Sequence, residues 1–340
     1  MRIKDIAREA GVSTATVSHV INNTKYVSDP TREKVERAIK KFNYHPNTHA
    51  QSLALGRSKT IGLLVSDISN PFFPEVIKSI EAAVFSSGYH LILLNTNYET
   101  DRAIEYVHRL IQMKVAGIIL MIAEFDEALI SEAKRKKTSF VFQDLGVVGE
   151  KTSNIILDYA VGIDEAVQHL VSLGHKDIVH IAGAHEIHSA GVRRQAFIDA
   201  MKRHLPKARK PRIFEGDFRF EGGRLAASRV LAEKKLPTAV VVANDLMALG
   251  AMQEFKTSGL NIPQDISIVG FDDISFASLS EPALTTVCSP RVEIGRRAVE
   301  ALMLTVDRPN RQGIEIRIPT YLIKRASTAP PRNENDPHKA

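Results

Sequence analysis

Seven residues between positions 72 and 272 have types that suit the capture of a small ring compound. Phe72 and Phe73 follow the apolar run IGLLVS, Asp144 follows SFVFQ, and Arg193 lies on the helix after DIVHI. Phe218 sits in GDFRFEGG, Asn244 follows TAVVVA and Asp272 follows IVGF. Aromatic side chains cover the flat faces of a sugar or nucleobase, while carboxylates, an amide and a guanidinium meet its polar edge. The same residues also admit structural roles. Arg193 could bridge to Asp144 or Asp272, Asp272 and Asp273 could cap loops, and Phe72 and Phe73 could belong to a core. His185 and His188 could add polar contacts. Carboxylates and histidines in one cleft also raise the reading of an enzyme. Against it, the chain has no G-x-S-x-G elbow, no Walker-type loop, no H-E-x-x-H and no G-x-G-x-x-G after a strand. Gly222-Gly223, in FEGGR, reads as a turn at the start of a helix. No enzyme, cofactor or metal is expected, and the single cysteine, Cys288, rules out a multi-cysteine metal site and an internal disulfide.

From Ile61 onward, short apolar runs alternate with amphipathic stretches, and these must position the seven residues. Strands are expected at 61–66, 90–95, 117–122, 139–143, 178–182, 238–243 and 267–271. Helices are expected near 73–87, 100–114, 126–137, 160–173, 190–204, 221–235, 245–258 and 291–305. Alternation of this kind implies an α/β fold with parallel sheets covered on both faces. So many strands suggest two sheets, hence two lobes, with a cleft outside the carboxyl ends of the strands. At 340 residues, two or three domains are expected. No apolar run approaches the ~18 residues of a membrane span. The N-terminal MRIKDIAREAGVS lacks an apolar export signal, so a cytoplasmic location is expected.

The net charge of +6 is concentrated at one end. Residues 1–60 hold 11 Lys or Arg against 5 Asp or Glu, and the other 280 hold 34 of each. A small basic module on a neutral body is the footprint of a domain that neutralises phosphates, although a solvated Lys-rich helical face would give the same count. Ile3, Ile6, Ala7 and Ala10 form an apolar stripe ended by Gly11. Ser13 can cap a helix over 14–21 with Val17, Val20 and Ile21 inward, and Asp29-Pro30 opens a third helix with Val35, Ala38, Ile39 and Phe42 inward. The first two are joined by a turn of the length a helix-turn-helix needs. A recognition helix enters the major groove N-terminus first, so Thr14, Ala15 and His19 lie where bases are read.

The segment IKDIAREAGVSTATVSHVINNTKYVSDPTREKVERAIKKFNYHPNTHAQSL closely resembles the headpiece of LacI/GalR repressors. Its GVSTATVSHVIN core is most similar to the purine repressor branch. DISNPFF, LGHKDIVHIAG, GDFRFEGG, ANDLMALGA, IPQDISIVGFDD and PALTTV extend the resemblance over about residues 2–326. It implies a dimeric repressor with a headpiece at 1–45, a hinge at 46–59 and a core of the type I periplasmic-binding-protein fold at 60–326, while the polar, proline-containing ASTAPPRNENDPHKA reads as a disordered tail at 327–340. The resemblance places base contacts at Thr14, Ala15 and His19. Phosphate contacts or helix caps fall to Ser13, Thr16, Ser18, Asn22 and Tyr44, and a minor-groove wedge to Leu53 beside Ala54, with Asn47 and Gln51 as polar neighbours. The partners expected are a pseudo-palindromic double-stranded operator, a second copy of the chain and a small effector held by the seven cleft residues. A protein co-regulator is compatible with the sequence without being indicated by it. Purine repressors carry an additional arginine and an aromatic residue where this chain has Ile187 and Leu145. The expected effector is therefore a sugar or sugar phosphate, with a purine as the alternative. A transport-associated sugar-binding protein would need an export signal and would have no use for residues 1–60.

Overall fold

The computed structural model describes residues 2–22, 24–44, 58–123, 131, 138–144, 148–207, 211–306, 308 and 310–332. Two compact units are present, Met1–Lys59 and Thr60–Ala340.

The small unit is built from α1 (Ile3–Ala10), α2 (Thr14–Asn22) and α3 (Asp29–Lys41). Helix α1 stops at Gly11 because that residue takes φ 65°, a left-handed conformation that costs glycine nothing. The Val12 N–H then donates to Ala7 O at 3.0 Å and satisfies an end carbonyl. Helix α3 opens with Pro30 in its first turn. Ile6, Ala7, Ala10, Val17, Val20, Val35 and Ala38 form the common core, as their helical spacing predicts. Lys41 pairs with Glu9 at 2.7 Å and ties α3 back to α1.

The large unit holds two six-stranded sheets. The first contains β1 (Thr60–Val65), β2 (His90–Asn95), β3 (Gly117–Met121), β4 (Ser139–Gln143), β5 (Thr152–Asp158) and β11 (Glu315–Pro319), in the order β11-β5-β4-β3-β1-β2 and parallel throughout. The second contains β6 (Ile178–Ala182), β7 (Ile213–Glu215), β8 (Ala239–Val242), β9 (Ser267–Asp272), β10 (Thr285–Cys288) and β12 (Tyr321–Ile323), in the order β12-β10-β9-β8-β6-β7. Only β12 runs antiparallel in it. The helices of this unit are α4 (Phe72–Ser86), α5 (Thr100–Gln112), α6 (Tyr159–Ser172), α7 (His188–His204), α8 (Phe220–Leu231), α9 (Asp245–Thr257), α10 (Ser275–Leu279) and α11 (Arg291–Thr305). The continuous apolar runs read as strands because parallel strands are covered on both faces, and β3 and β8 are buried along their whole length.

The chain passes between the lobes three times, at β5 to α6, β10 to α11 and β11 to β12. Helix α6 packs on the second sheet and α11 on the first. Thr320, which follows β11, donates to Asp158 O at 2.7 Å and accepts from Gly162 N at 3.1 Å, so the first and third passages are bonded to each other. A Cβ at Gly162 would stand 2.2 Å from the Val287 side chain, which brings β10 to the same point.

Several elements depart from the expectations. Strand β5 escapes an apolar reading because Ser153 and Asn154 are fully buried in it. Their polar groups are met by the 310–315 segment: Ile314 N donates to Ser153 Oγ at 3.1 Å and Asn154 N donates to Ile314 O at 2.9 Å. Strands β7, β10, β11 and β12 and helix α10 are short and were not expected. The helix expected at 126–137 lies almost entirely outside the described residues. Gly222 and Gly223 are not simply a turn, because a Cβ at Gly223 would lie 2.1 Å from the Met247 carbonyl oxygen where α8 packs on α9.

A disordered tail beginning at 327 is also not what the structure shows. Ser327 is fully buried, accepts from Thr285 N at 2.8 Å through Oγ, and its carbonyl accepts from Ile268 N at 2.8 Å. Ala329 N donates to Ser267 Oγ at 3.1 Å, and its carbonyl bonds His175 Nε2 at 2.9 Å. Ser327, Thr328 and Ala329, which suggested a solvated tail, are instead bonded to the second sheet and its helices, and Arg332 pairs with Asp265.

Candidate functional site

In the small unit, Ser13 Oγ accepts from Thr16 N at 3.1 Å and bonds Thr16 Oγ1 at 2.9 Å, so these two hydroxyls cap α2. Thr14 and Ala15 are left exposed in the first turn of the helix. His19 lies one turn beyond Ala15 on the same face, half-buried, with Nδ1 bonded to Thr24 Oγ1 at 2.8 Å. That bond orients the ring and does not use Nε2; Thr24 is an anchor the sequence reading missed. Ser18 is half-buried, and Tyr44 packs against the helical core. Asn22 is the last residue of α2. Asn47, Gln51, Leu53 and Ala54 lie outside the described residues.

In the large unit, one cleft of about 620 Å³, counting the space open to solvent, is lined by all seven expected residues: Phe72, Phe73, Asp144, Arg193, Phe218, Asn244 and Asp272. Asn70, Tyr98, Gln143, Tyr159, His188 and Ser189 also line it; of these the sequence reading raised only His188. His185 is not part of the lining. Ile187 precedes α7 and packs against the core, while Leu145 lies outside the described residues.

Asp144, Phe218 and Asp272 have φ of 60°, 66° and 108°. Such values are rare outside glycine and concentrate where side chains must be aimed rather than packed. Each of the three sits just after a strand or at its last residue. The sequence could place them there but could not show this backbone.

The polar groups differ sharply in how much bonding capacity they keep. Asn244 caps α9: its Oδ1 accepts from Met247 N at 2.9 Å, and its Nδ2 donates to Phe218 O at 2.9 Å. Asp144 accepts from Leu157 N at 2.9 Å and from Tyr159 Oη at 2.5 Å. Burial raises the Asp144 pKa against those bonds, and burial together with Asp144 pushes the Tyr159 phenol well up, so the phenol stays a neutral donor. Arg193 is buried, donates through Nη1 to Ala243 O, and meets Asp272 Oδ1 at 3.5 Å. Its guanidinium lies 4.2 Å from the Phe271 ring, 4.8 Å from Tyr159 and 5.5 Å from Phe218. Its Nε has no hydrogen-bond partner among the described residues. Burial lifts Asp272 to about 6, with Arg193 and Arg291 opposing the rise. Asp245, a further residue that sequence reasoning missed, is fully buried one position after Asn244. It accepts from Thr286 Oγ1 at 2.5 Å and from Ile274 N at 2.9 Å, and so fixes the turn that follows Asp272.

Among the described residues no cluster of His, Cys, Asp or Glu is arranged to hold a metal ion, and no helix is long and apolar enough to cross a membrane.

Comparison with known proteins joins these two units in one family. Residues 2–47 match "Bacterial regulatory proteins, lacI family", and residues 167–328 match "Periplasmic binding protein-like domain". The chain is 39% identical over 331 residues to the HTH-type transcriptional repressor PurR of Erwinia tasmaniensis, covering 96% of each. Among solved structures it resembles the lac repressor dimer bound to operator and the anti-inducer ONPF, with a TM-score of 0.87, 32% identity, and coverage of 97% of this chain and 99% of that one. It also resembles a complex of the transcriptional regulator CelR with cellobiose, with a TM-score of 0.71, 29% identity, and coverage of 96% and 99%. With a capped helix-turn-helix in one unit, a two-lobed ligand fold in the other, and full-length relatives that are repressors rather than enzymes, this chain is a DNA-binding transcriptional repressor of the LacI family.

Proposed function

We propose that this repressor answers to a planar, purine-type base held between the core lobes, and that it binds a pseudo-palindromic operator as a homodimer. The observation that carries the effector reading is how the cleft's polar groups are used. A sugar presents hydroxyls around its whole rim, and the sequence reading offered it Asp144, Arg193, Asn244 and Asp272. Two of these four are already engaged: Asn244 through both ends of its amide and Asp144 through both oxygens. The rest of the polar lining is Arg193, Asp272, Gln143 and Ser189, with Asn70, Tyr98 and His188 beside them, set among Phe72 and Phe73 from one lobe and Phe218 from the other. Rings approaching from both lobes suit a flat heterocycle with polar atoms on its perimeter. The preference for a sugar drawn from Ile187 and Leu145 gives way on this ground. Ile187 removes one cation from the neighbourhood, while the buried Arg193 Nε keeps a donor. The relationship to repressors named PurR supports the same reading.

On the DNA side, Thr14, Ala15 and His19 are the base-reading set, and Leu53 is the minor-groove wedge. Two-fold pairing of headpieces would match the symmetry of a palindromic operator.

The test is calorimetric titration of the full-length protein with guanine, hypoxanthine, adenine, cellobiose and ribose, paired with operator binding in each ligand's presence. A base that binds and shifts operator affinity about tenfold, roughly 1.4 kcal/mol of coupling, supports the proposal and gives the sign of the response. A sugar that alone does so refutes the purine-type reading. Operator affinity should also fall steeply with salt as counterions are released; independence of salt would refute the DNA contacts.

A further inference from the structure

We infer that Gln143 is a specificity residue of the effector cleft, whose carboxamide oxygen accepts a hydrogen bond from a ring or exocyclic N–H of the bound base. The inference rests on the purine-type reading above and deepens it.

Gln143 is the last residue of β4 and lines the cleft. Its amide has one settled end: Nε2 donates to Asp144 Oδ2 at 3.2 Å. Turning the amide over would set Oε1 against that carboxyl oxygen, which already accepts the Tyr159 hydroxyl, so electrostatics fixes the orientation. Asp144 is itself held from the other side by Leu157 N, and it raises its neighbour on a rigid support. Oε1 is therefore aimed away from Asp144. It is buried and has no hydrogen-bond partner among the described residues. A buried acceptor without a donor is costly and uncommon in folded proteins. Two donors that line the same cleft are committed elsewhere: the Tyr159 hydroxyl to Asp144, and the Ala123 N–H to Ser66 Oγ at 2.7 Å. A ligand in the cleft is the group placed to supply the missing donor.

The consequence is selectivity of a stated kind. A site built around a buried acceptor rejects an analogue that lacks the matching donor, because the acceptor then stays both desolvated and unpaired. A base with an N–H at this edge should bind well, and the same base methylated there should not. A carbonyl or bare ring nitrogen at this position would face Oε1 acceptor to acceptor.

The experiment is calorimetry with the full-length protein and its Gln143→Met variant, using guanine, hypoxanthine and adenine together with their singly N-methylated analogues. In the wild type, methylation at one N–H position should weaken binding about tenfold or more. Gln143→Met should weaken the parent base by a similar factor and abolish that discrimination, with the urea unfolding midpoint confirming an intact fold. If the variant binds parent and methylated base as the wild type does, the inference is wrong while the purine-type reading stands. A wild type indifferent to methylation at every N–H overturns the inference without recourse to the variant. If no base binds the wild type, the purine-type reading fails and this inference falls with it.

Discussion

Substituting Asp272 by asparagine keeps the size of the side chain while removing its charge, and two effects then oppose each other. Losing the carboxylate leaves Arg193 without its ionic partner, and breaking a buried pair can cost about 3–5 kcal/mol. Relieving a buried charge of its desolvation works the other way. The balance is read from Asp272 itself, whose pKa rises from an ordinary 3.8 to about 6 with both arginines already opposing the rise. At about 1.4 kcal/mol per pH unit, ionising it is about 3 kcal/mol less favourable in the folded protein than in the unfolded chain, and near neutrality that whole difference counts against the fold. The fold binds this proton more tightly than the unfolded chain does, so its contribution to stability is present at low pH and is lost as pH rises from about 4 to about 6. Arg193 shows the other side of the pairing. Burial pulls its pKa down, but Asp272 and Tyr159 more than compensate, and arginine stays charged at every working pH. It also keeps Ala243 O and the Phe271 and Tyr159 rings when Asp272 is gone. Asparagine mimics the protonated acid, so Asp272→Asn should stabilise the protein by up to about 3 kcal/mol at pH 7.5 and by about half that at pH 5. It should weaken effector binding at the same time, the trade expected of a residue kept for function. Urea unfolding followed by far-UV circular dichroism at both pH values measures it. A variant less stable than the wild type at pH 7.5 would refute the reasoning and show that the attraction to Arg193 outweighs burial.

Other perturbations test other parts of the structure. Burial holds His180 at about 4, with its Nδ1 bonded to Val241 O at 2.8 Å and its ring stacked on Phe197 at 4.9 Å. Its folded pKa lies below its unfolded one, so stability is lost as pH falls from about 6.5 toward about 4, by about 2 kcal/mol at pH 5. The opposite slope from Asp272 makes the comparison differential: His180→Gln should lose less stability than the wild type between pH 7.5 and pH 5, and an equal loss would clear His180 of the role. Gly223→Ala should destabilise the core by about 1–3 kcal/mol, because its Cβ would meet backbone at Met247; an unchanged melting temperature would show that α8 and α9 can part there. Ser13→Ala removes the cap of α2 and should cost about 1 kcal/mol with a matching loss of operator affinity, which Ser13→Asp should largely spare in stability.

What could be read from the sequence follows from which forces were local. Helices α1 to α3 are marked by periodic apolar residues, a glycine stop and Asp29-Pro30, all within a turn or two of the feature they specify. Strands β1, β3, β4, β6, β8 and β9 are continuous apolar runs because two layers of helices cover them. Strand β5 was missed because Ser153 and Asn154 are buried with partners 160 or so positions further on, a relation no local pattern carries. The tail was misread for the same reason: Ser327 and Ala329 look solvated until their bonds to the second sheet are known. In the cleft, strand ends located Asp144, Asn244 and Asp272, since parallel sheets present their carboxyl ends together, whereas Arg193 lies within a helix and Phe218 was reached through the family resemblance. What each could offer a ligand was not legible. Asn244 and Asp144 look available in sequence and are engaged in the structure, whereas Gln143, beside a more conspicuous aspartate, is the one left with a buried acceptor.

The cleft's polar groups are also bonded to the places where the chain changes lobes. Asp144 accepts from Tyr159, the first residue of α6 after the first passage. The Asp272 carbonyl accepts from Arg291, the first residue of α11 after the second passage, and Arg291 reaches Glu75 of α4 at 2.7 Å. Glu75 in turn accepts from Ser275 Oγ at 3.0 Å, which links α4 to α10, the helix that follows β9. A ligand that draws on Asp272, or shifts the Gln143–Asp144 pair, therefore changes the bonding of the passages themselves and not only of the cleft wall. That matters because a ligand moves a conformational equilibrium only through a difference in its affinity for the two states. A tenfold change in operator affinity needs about 1.4 kcal/mol of such difference, about what one hydrogen bond to a charged group supplies. One bond made in one lobe arrangement and broken in the other is sufficient, and the Asp272–Arg291–Glu75 chain supplies charged bonds of that size between β9, α11 and α4.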